Sequence, residues 1–413
     1  MSPERLAVWL YGICVATIEE RDRRLRLTYT NEALSRFAPG SPLLSLPLPL
    51  TDRPFTQGIV KPFLDGLLPE GEARRTVAER LNLKAQDTFG LLKELGRDCA
   101  GAIVIQPESD GPPTAPTTLR AEPLSDEELE RRMRNLNTAP LGIDGRVRLS
   151  LAGAQEKLVL TRLRDGQWGL PVNGAPSTHI LKPEIPAYPK TVENEVFCMR
   201  VAKILGLDVA EVETATVGNR AVIVVRRYDR IVHDDGSVDR MHQEDLCQAL
   251  SIPPNMKYEE DGGPSLRAVA ETLSEVAAPA SVETLLRATV LNVVIGNGDA
   301  HGKNFSMLHE PSGALRLAPL YDLVSTLSYG ESGLDHLAMF IDTVQRIDRV
   351  TSERLANEAV GWGMPRNTAE SVIAETLEKM PRAAQVAFEE TAGVPTAVRA
   401  VVDSQMKLLT EGS

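Results

Sequence analysis

Two short polar segments in the C-terminal half of the chain carry residue types that could transfer a phosphoryl group. Asp299 and Asn304 stand in the spacing D-x-x-x-x-N. In protein kinases the Asp of this spacing orients the accepting hydroxyl, and the Asn holds a magnesium ion. Asp322 follows between apolar residues, which predicts a strand end, the place of the metal-binding Asp of D-F-G. The order and close spacing favour a phosphoryl-transfer site, although residues 297–299 could also be simple turn residues.

A kinase also needs a lysine that reaches the phosphates of its nucleotide. Residues 177–183 are a short β-prone run in which Lys182 precedes Pro183, and proline cannot continue ladder pairing. Lys182 is either this phosphate ligand or a surface lysine. The apolar spacing that begins at Asn194 predicts a helix closed by Gly206. Its Glu195 could pair with Lys182, as in kinases, or be a first-turn carboxylate favoured by the helix dipole.

A loop at residues 150–157 (SLAGAQEK) lies before the lysine strand, where a cover for the phosphates belongs. It has a single glycine, so it is not the G-x-G-x-x-G loop of kinases. Small residues at 152–154 would still let backbone N–H groups approach an anion. The apolar run after Lys157 predicts a strand, and taken alone the segment would be an ordinary β-hairpin.

These segments, in this order, resemble the HipA family, the serine/threonine kinase toxins of toxin–antitoxin pairs. The resemblance covers almost the whole chain. The residues that carry it are LLPEG at 67–71, GRDCAGA at 96–102, SLAGAQEK at 150–157, ILKP at 180–183, NEVFCM at 194–199, RYDR at 227–230, QEDLCQ at 243–248, GNGDAHGKN at 296–304 and YD at 321–322.

The resemblance implies an α+β fold: a two-lobed, protein-kinase-like structure with a mostly helical C-terminal lobe and a small α/β N-terminal domain. We expect an N-terminal subdomain at 1–108, a linker with a short helix at 109–145, a nucleotide-binding lobe at 146–242 and a helical lobe at 243–413. It also implies ATP and Mg²⁺ as cofactors and a protein substrate, with an aminoacyl-tRNA synthetase as the expected one. The expected partner is a HipB-like helix-turn-helix antitoxin that carries the complex to operator DNA.

The resemblance also implies roles for individual residues. Asp299 is the expected catalytic residue, Asn304 and Asp322 the expected metal ligands, and Ser150 the expected autophosphorylation site. From the sequence alone, Ser150 could equally be a strand-end residue with an exposed hydroxyl. His301 is expected to brace its loop more than to transfer a proton. The expected nucleotide-binding residues are Ala152, Gly153, Ala154, Gln155, Glu156, Lys157, Lys182, Arg227, Tyr228, His301, Lys303 and Asn304.

Some positions depart from the family pattern, and two other functions stay open. Family members often carry a bulkier or hydroxylated residue where Gly298 and Gly302 stand here, and Arg226 takes the place of an acid in the expected hinge. One alternative function is a kinase-like tethering subunit without transfer activity, and another is a small-molecule kinase on the same core. The presence of Lys182, Asp299, Asn304 and Asp322 together argues against an inactive kinase.

The global composition is consistent with a cytoplasmic enzyme of two or three compact parts. The formal net charge is −12 and the sequence pI about 5.2, so strong binding to DNA without a partner is not expected. The four cysteines form no C-x-x-C pair, which favours buried thiols over a zinc site or disulfides. We expect no secretory signal and no membrane helix. Strand-like runs at 6–18 and 25–29 and helical spacing at 71–81, 88–95, 284–295, 352–361, 368–379 and 394–409 complete the prediction.

Overall fold

The computed structural model describes residues 4–113, 121–141, 149–153, 155–310 and 312–411. Two compact units are present. The first contains Met1–Pro183, Thr216–Arg220 and Val224–Asn255, and the second contains Glu184–Ala215, Ala221–Ile223 and Met256–Ser413. The predicted domain boundaries stay a prediction, and residues 114–120 and 142–145 of the expected linker lie outside the described residues.

The N-terminal part of the first unit is an antiparallel sheet with helices. Its described elements are β1 (Arg5–Leu10), β2 (Ile13–Arg21), β3 (Arg24–Tyr29), α1 (Asn31–Arg36), β4 (Phe55–Thr56), α2 (Gln57–Gly66), α3 (Gly71–Arg80), α4 (Thr88–Leu95) and β5 (Ile103–Pro107). The strand order is β4-β3-β2-β1-β5. The strand-like run at 6–18 is a hairpin, because Tyr11 and Gly12 both take a left-handed φ, as a tight two-residue turn requires.

The middle of the chain carries a second sheet and the helix predicted near Asn194. Its described elements are β6 (Ala121–Pro123), α5 (Asp126–Arg134), β7 (Leu158–Arg162), β8 (Trp168–Pro171), β9 (His179–Pro183), α6 (Thr191–Ile204), β10 (Val212–Val217), β11 (Arg220–Arg226), β12 (Arg230–Val232), β13 (Val238–Arg240), β14 (His242–Asp245) and α7 (Leu246–Ala249). Strand β9 pairs antiparallel with β7, and β7 with β8. The predicted strands after Lys157 and around Lys182 are thereby confirmed.

The rest of the second unit is mostly helical. Its described elements are α8 (Leu266–Val276), α9 (Ala280–Ile295), β15 (Ser306–His309), β16 (Leu315–Leu317), β17 (His336–Ile341), β18 (Val344–Arg346), α10 (Ser352–Gly361), α11 (Arg366–Glu390) and α12 (Thr396–Glu411). The four predicted helices of this region are confirmed, although α11 is much longer than the predicted 368–379. Helix α9 is buried on nearly every side, so it forms the centre of this unit.

Two global expectations can be compared with the described residues. All four cysteines are free thiols, and Cys99, Cys198 and Cys247 are buried, as predicted. Along the described chain, no helix combines the length and the apolar character that crossing a membrane requires.

Candidate active site

The predicted catalytic segment begins where the central helix α9 ends. Gly296 takes a left-handed conformation and caps the helix, and its N–H group donates to carbonyls of the last turn. The next residue, Asn297, donates its side-chain amide to Asn292 Oδ1 at 2.9 Å and accepts the Asp299 N–H at 3.1 Å. The backbone of Asp299 is therefore fixed to a buried helix through one asparagine.

Gly298 lies where a side chain would clash with the neighbouring backbone. Its N–H donates to Thr326 Oγ1 at 2.8 Å, and its carbonyl accepts the Ala338 N–H at 2.9 Å. An added Cβ would lie 2.6 Å from the His336 carbonyl oxygen and 2.7 Å from that of Leu334. The glycine noted as a departure from the family pattern is thus required here by the close approach of two backbone carbonyls.

The side chain of Asp299 is held by a residue that the sequence did not reveal. The Tyr258 hydroxyl donates to Asp299 Oδ1 at 2.7 Å. The ring of the same tyrosine meets the His301 ring edge-on, with 5.4 Å between their centroids. Tyr258 lies 41 residues before Asp299, and no motif spacing joins the two, so only the fold brings them together.

His301 is buried and neutral. Burial lowers its pKa to about 3, and the positive charges of Lys257 and Lys303 act in the same direction, while the carboxylate of Asp322 opposes them. Within the described part of the chain its Nδ1 has no hydrogen-bond partner. An imidazole with so low a pKa carries no proton to give near pH 7, which agrees with a role other than proton transfer.

The two predicted metal ligands are Asn304 and Asp322, and one hydrogen bond joins the residues that precede them. Asn304 closes a 3-10 turn at Gly302–Asn304 and is buried. The Tyr321 hydroxyl donates to the Lys303 carbonyl at 2.6 Å, which ties this turn to the residue before Asp322. Asp322 itself has a φ of 61°, a conformation that a non-glycine residue adopts only at a cost. Such backbone strain is concentrated at functional sites.

The predicted strand end at Asp322 is wrong in detail. Strand β16 stops at Leu317, and only an isolated bridge between Val209 and Leu320 precedes the aspartate. Asp322 therefore lies in a loop. The apolar neighbours Leu320 and Leu323 are buried in this loop, and burial by itself does not imply regular pairing.

Helix α6 holds the segment that follows Asp322. Asn194 is fully buried, donates to the Ser325 carbonyl at 3.1 Å and accepts the Ser325 N–H at 3.0 Å. The next residue, Glu195, is buried more than one turn into the helix, and the first-turn acid is Glu193. The first-turn interpretation of Glu195 is therefore wrong, while its pairing with Lys182 stays a prediction.

In the first unit, the 150–157 loop is held by the N-terminal sheet domain. Ser150 is fully buried; its hydroxyl donates to the Leu67 carbonyl at 2.6 Å and its N–H to the Asp98 carbonyl at 3.0 Å. The Gly153 N–H donates to Glu70 Oε1 at 3.1 Å. The interpretation of Ser150 as an exposed strand-end residue is therefore wrong.

The other predicted nucleotide ligands of this unit differ from one another in their contacts and in their burial. Lys157 donates to the Ala152 carbonyl at 2.6 Å, Glu156 is exposed, and Ala154 lies outside the described residues. Gln155 is half-buried, and Lys182 is buried near the end of β9.

Arg227 takes part in a buried charge cluster. Its guanidinium donates to both oxygens of Asp229, at 3.0 and 2.7 Å, and to Ser177 Oγ at 2.7 Å. Asp98 is buried at the centre of this cluster and pairs with Arg227, Arg230 and Arg240. Since every nitrogen group of Arg227 already contacts protein, its placement argues against a nucleotide contact by this side chain. Its neighbours Arg226, which is exposed, and Tyr228, which is half-buried, lie at the end of β11.

The electrostatics of the cluster explain two motifs of the sequence. Burial alone would raise the pKa of Asp98, but the three arginines outweigh it and hold that pKa below its usual value. Burial lowers the pKa of Arg240 to about 10 in spite of its contact with Asp98. The segments 96–102 and 227–230 are thus the two halves of one ion-pair network, which no spacing rule could have joined.

Comparison with known proteins gives matches over both parts of the chain. Residues 149–384 match the sequence model of the HipA-like C-terminal domain, and residues 6–106 match that of the HipA N-terminal domain. "Putative kinase Y4mE" of Sinorhizobium fredii is 43% identical over 355 residues, which is 82% of either chain. The serine/threonine-protein kinase toxin HipA of Shewanella oneidensis is 35% identical over 354 residues, 82% of this chain and 79% of that one.

A solved structure resembles nearly the whole chain. It is the HipA, HipB and operator DNA complex of Shewanella oneidensis, with a TM-score of 0.84 and 28% sequence identity. The likeness covers 98% of this chain and 97% of that one. The segments that contain Asp299 and Asp322 lie within the matched regions.

Proposed function

Because the chain belongs to the HipA family, we propose that it is a serine/threonine protein kinase toxin that transfers the γ-phosphate of ATP to a protein and so arrests growth. The family assignment and the structural likeness establish the α+β, kinase-like fold. The transfer reaction, its cofactors and its substrate are the proposed parts.

The observation that carries the proposal is the fixed geometry of Asp299. Its backbone is bonded to Asn297 and its carboxylate to Tyr258, while Asn304 and Asp322 lie in the same unit. Phosphoryl transfer asks a protein mainly to position groups and neutralise charge. Rigid placement of an aspartate in the same unit as the candidate metal ligands suits that task, whereas a tethering subunit would have no need of it.

The residues present fit magnesium. Among the described residues no three His, Cys, Asp or Glu side chains gather into a closed metal cage. Magnesium is commonly bound through one or two protein oxygens together with the phosphates of its nucleotide. Asn304 and Asp322 would supply such oxygens, and the ion would neutralise charge on the phosphates.

In the proposed reaction Asp299 accepts a hydrogen bond from the substrate serine or threonine hydroxyl and receives its proton as the oxygen bonds to the γ-phosphorus. ADP leaves with the electrons of the broken P–O bond. We propose that Lys182 binds the phosphates and that the Gly153 N–H joins it once it is released from Glu70 Oε1. The neutral His301 adds no charge to those of Lys257 and Lys303, which act on it.

Radiolabel transfer into a cell lysate would test the function and identify the substrate. Wild-type chain with Mg²⁺ and γ-labelled ATP should label a protein band, for which we propose an aminoacyl-tRNA synthetase. The Asp322→Asn variant should label nothing, because loss of the metal acid costs several kcal/mol of transition-state stabilisation. A tethering subunit would give no band with either chain, and a small-molecule kinase would consume ATP without labelling protein.

The partner is proposed from the charge and the likeness to a complex. The chain has a net charge of −12, and the similar structure contains HipA with HipB and operator DNA. We propose that a HipB-like antitoxin makes the DNA contacts and neutralises the kinase. A gel shift at about 150 mM salt, where surface charges are well screened, should show operator binding only with the antitoxin present. Tight, sequence-specific binding by this chain alone would contradict the proposal.

Ser150 is proposed as an autophosphorylation switch. A phosphate would add roughly −1.5 to −2 charges where the hydroxyl now donates to the Leu67 carbonyl, and two oxygens of the same sign would repel. Because Ser150 is fully buried, the loop has to open before the hydroxyl can be phosphorylated, and the phosphate would then keep it from returning. Mass spectrometry after incubation with Mg-ATP should find the phosphate, and nucleotide affinity should fall. A phosphate at Ser150 with unchanged ATP affinity would contradict the switch.

A further inference from the structure

Tyr258 lies on a segment that the proposed chemistry does not yet explain. Residues 256–263 follow a proline-rich turn and contain two adjacent glycines. The hydroxyl of Tyr258 donates to Asp299 Oδ1 at 2.7 Å. Its ring lies edge-on to His301, and Lys257 Nζ lies 5.4 Å from the ring centroid. One half-buried side chain thus contacts both Asp299 and His301.

The segment around Tyr258 is built to be rigid. The Gly263 N–H donates to the Tyr258 carbonyl at 2.8 Å, and a Cβ on Gly263 would lie 2.3 Å from the Met256 carbonyl oxygen and 2.5 Å from that of Tyr258. The neighbouring Glu259 accepts the Phe340 N–H at 2.6 Å. Burial raises the pKa of Glu259, so this carboxylate is not a loosely solvated surface group. The tyrosine is therefore presented to Asp299 from a fixed backbone.

We propose that Tyr258 is a positioning residue that holds the carboxylate of Asp299 in one rotamer for the acceptor hydroxyl. This inference rests on the proposed kinase function. An aspartate on a loop can rotate about two side-chain bonds, and a short hydrogen bond to a charged oxygen is stronger than one between neutral groups. With Asn297 fixing the backbone and Tyr258 fixing the carboxylate, both ends of Asp299 are set before substrate binds. Such placement lowers the barrier because misplacement by about 1 Å can cost 10²-fold in rate.

A gating role for the hydrogen bond from Tyr258 to Asp299 would have the opposite effect on the rate of transfer. The tyrosine hydroxyl donates to the catalytic aspartate just as an acceptor serine would, so it could act as a gate that must move away. The fixed backbone of residues 256–263 favours positioning over gating. Removal of the hydroxyl should slow transfer if Tyr258 positions Asp299, and should speed transfer if it blocks Asp299.

The test is Tyr258→Phe, which removes only the hydroxyl. Transfer of γ-labelled phosphate from Mg-ATP to myelin basic protein would be measured across ATP concentrations. We expect kcat to fall roughly tenfold or more with the KM for ATP within about twofold of the wild type. Tyr29→Phe is the matched control, since it removes a buried tyrosine hydrogen bond, to the Leu48 carbonyl, far along the chain from the catalytic segment. An unchanged or increased kcat in Tyr258→Phe would overturn the inference.

A second measurement separates this inference from the proposed function. The melting temperatures of Tyr258→Phe, Asp299→Ala and the double variant form a cycle that needs no activity. If the tyrosine holds the aspartate, the double variant should lose less than the sum of the two single losses. Additive losses would overturn the inference. A wild-type chain without transfer activity would contradict the proposed function, and this cycle would still show whether Tyr258 holds the carboxylate of Asp299.

Discussion

The replacement Gly298→Ala gives a direct test of how tightly the catalytic segment is built. The added methyl group would lie 2.6 Å from the His336 carbonyl oxygen and 2.7 Å from that of Leu334, whereas ordinary van der Waals contact begins at 3.4 Å. Atoms would have to separate by 0.8 Å at the closer contact, the difference between 3.4 and 2.6 Å. Both neighbours are backbone atoms, so no side chain can simply rotate away.

The size of the stability loss in Gly298→Ala follows from the backbone groups that have to move. Overpacking of this kind costs typically about 1–3 kcal/mol. Strand β17 cannot retreat without stretching the bond from the Ala338 N–H to the Gly298 carbonyl, a bond worth about 0.5–1.5 kcal/mol. Alanine also lowers the conformational entropy of the unfolded chain, which offsets about 0.4–1 kcal/mol of the stability loss. The free energy of unfolding should therefore fall by about 0.5–4 kcal/mol.

The assay is equilibrium urea unfolding of Gly298→Ala beside a control glycine of the same unit. Gly361 ends helix α10 with nothing within 4 Å of its added Cβ and without a left-handed φ. Gly361→Ala should raise the free energy of unfolding by up to about 1 kcal/mol. Transfer activity of Gly298→Ala should also fall at temperatures where it is fully folded, because Asp299 is the next residue. The reasoning is refuted if both alanine variants have the same stability.

The remaining predictions concern the buried ion pairs and the loop. Asp98→Asn should lower the free energy of unfolding by about 3–5 kcal/mol, because three buried arginines lose one of their partners. The control is Asp110→Asn, in a partly exposed pair with Arg97, which should change the free energy of unfolding by less than about 1 kcal/mol. Because folding lowers the pKa of Asp98, the contribution of its charge is present above the unfolded pKa of about 3.9 and is lost as the pH falls below it. Acid titrations of unfolding should therefore be flatter for Asp98→Asn than for the wild type, and equal slopes would contradict this. Ser150→Ala should abolish phosphate at that position and leave nucleotide affinity constant during incubation with Mg-ATP; a falling affinity in this variant would place the switch elsewhere.

The sequence predicted those features that depend on local pattern. Helices α3, α4 and α10 were predicted almost to the residue, because their apolar spacing lies within one segment. Asp299 and Asn304 could be proposed as site residues for the same reason, since their spacing lies within one loop, and their roles stay a prediction. The bounds of α11 were too short because the residues after 379 continue the helix through an internal proline.

Features that depend on contacts between distant segments could not be predicted. Tyr258 reaches Asp299 across 41 residues, and Arg227 and Arg230 reach Asp98 across 129 and 132 residues. Nothing in the residue types alone distinguishes a buried arginine of an ion-pair network from one that binds phosphate. For that reason the sequence could not show that the side chain of Arg227 is taken up by an ion-pair network. The strained backbone of Asp322 has no sequence signal at all.

The central claim is that Asp299 is the catalytic residue of a phosphoryl-transfer site, and a single-turnover measurement tests it most directly. Purified wild type, Asp299→Asn and the control Asp403→Asn, at an exposed position of helix α12, would be mixed with Mg-ATP and an acceptor protein, with nucleotide affinity measured separately. We predict that Asp299→Asn slows transfer by about 10²–10⁴-fold, the usual contribution of a general base, with ATP affinity and the Asp403→Asn rate unchanged. Transfer by Asp299→Asn at close to the wild-type rate would contradict the account.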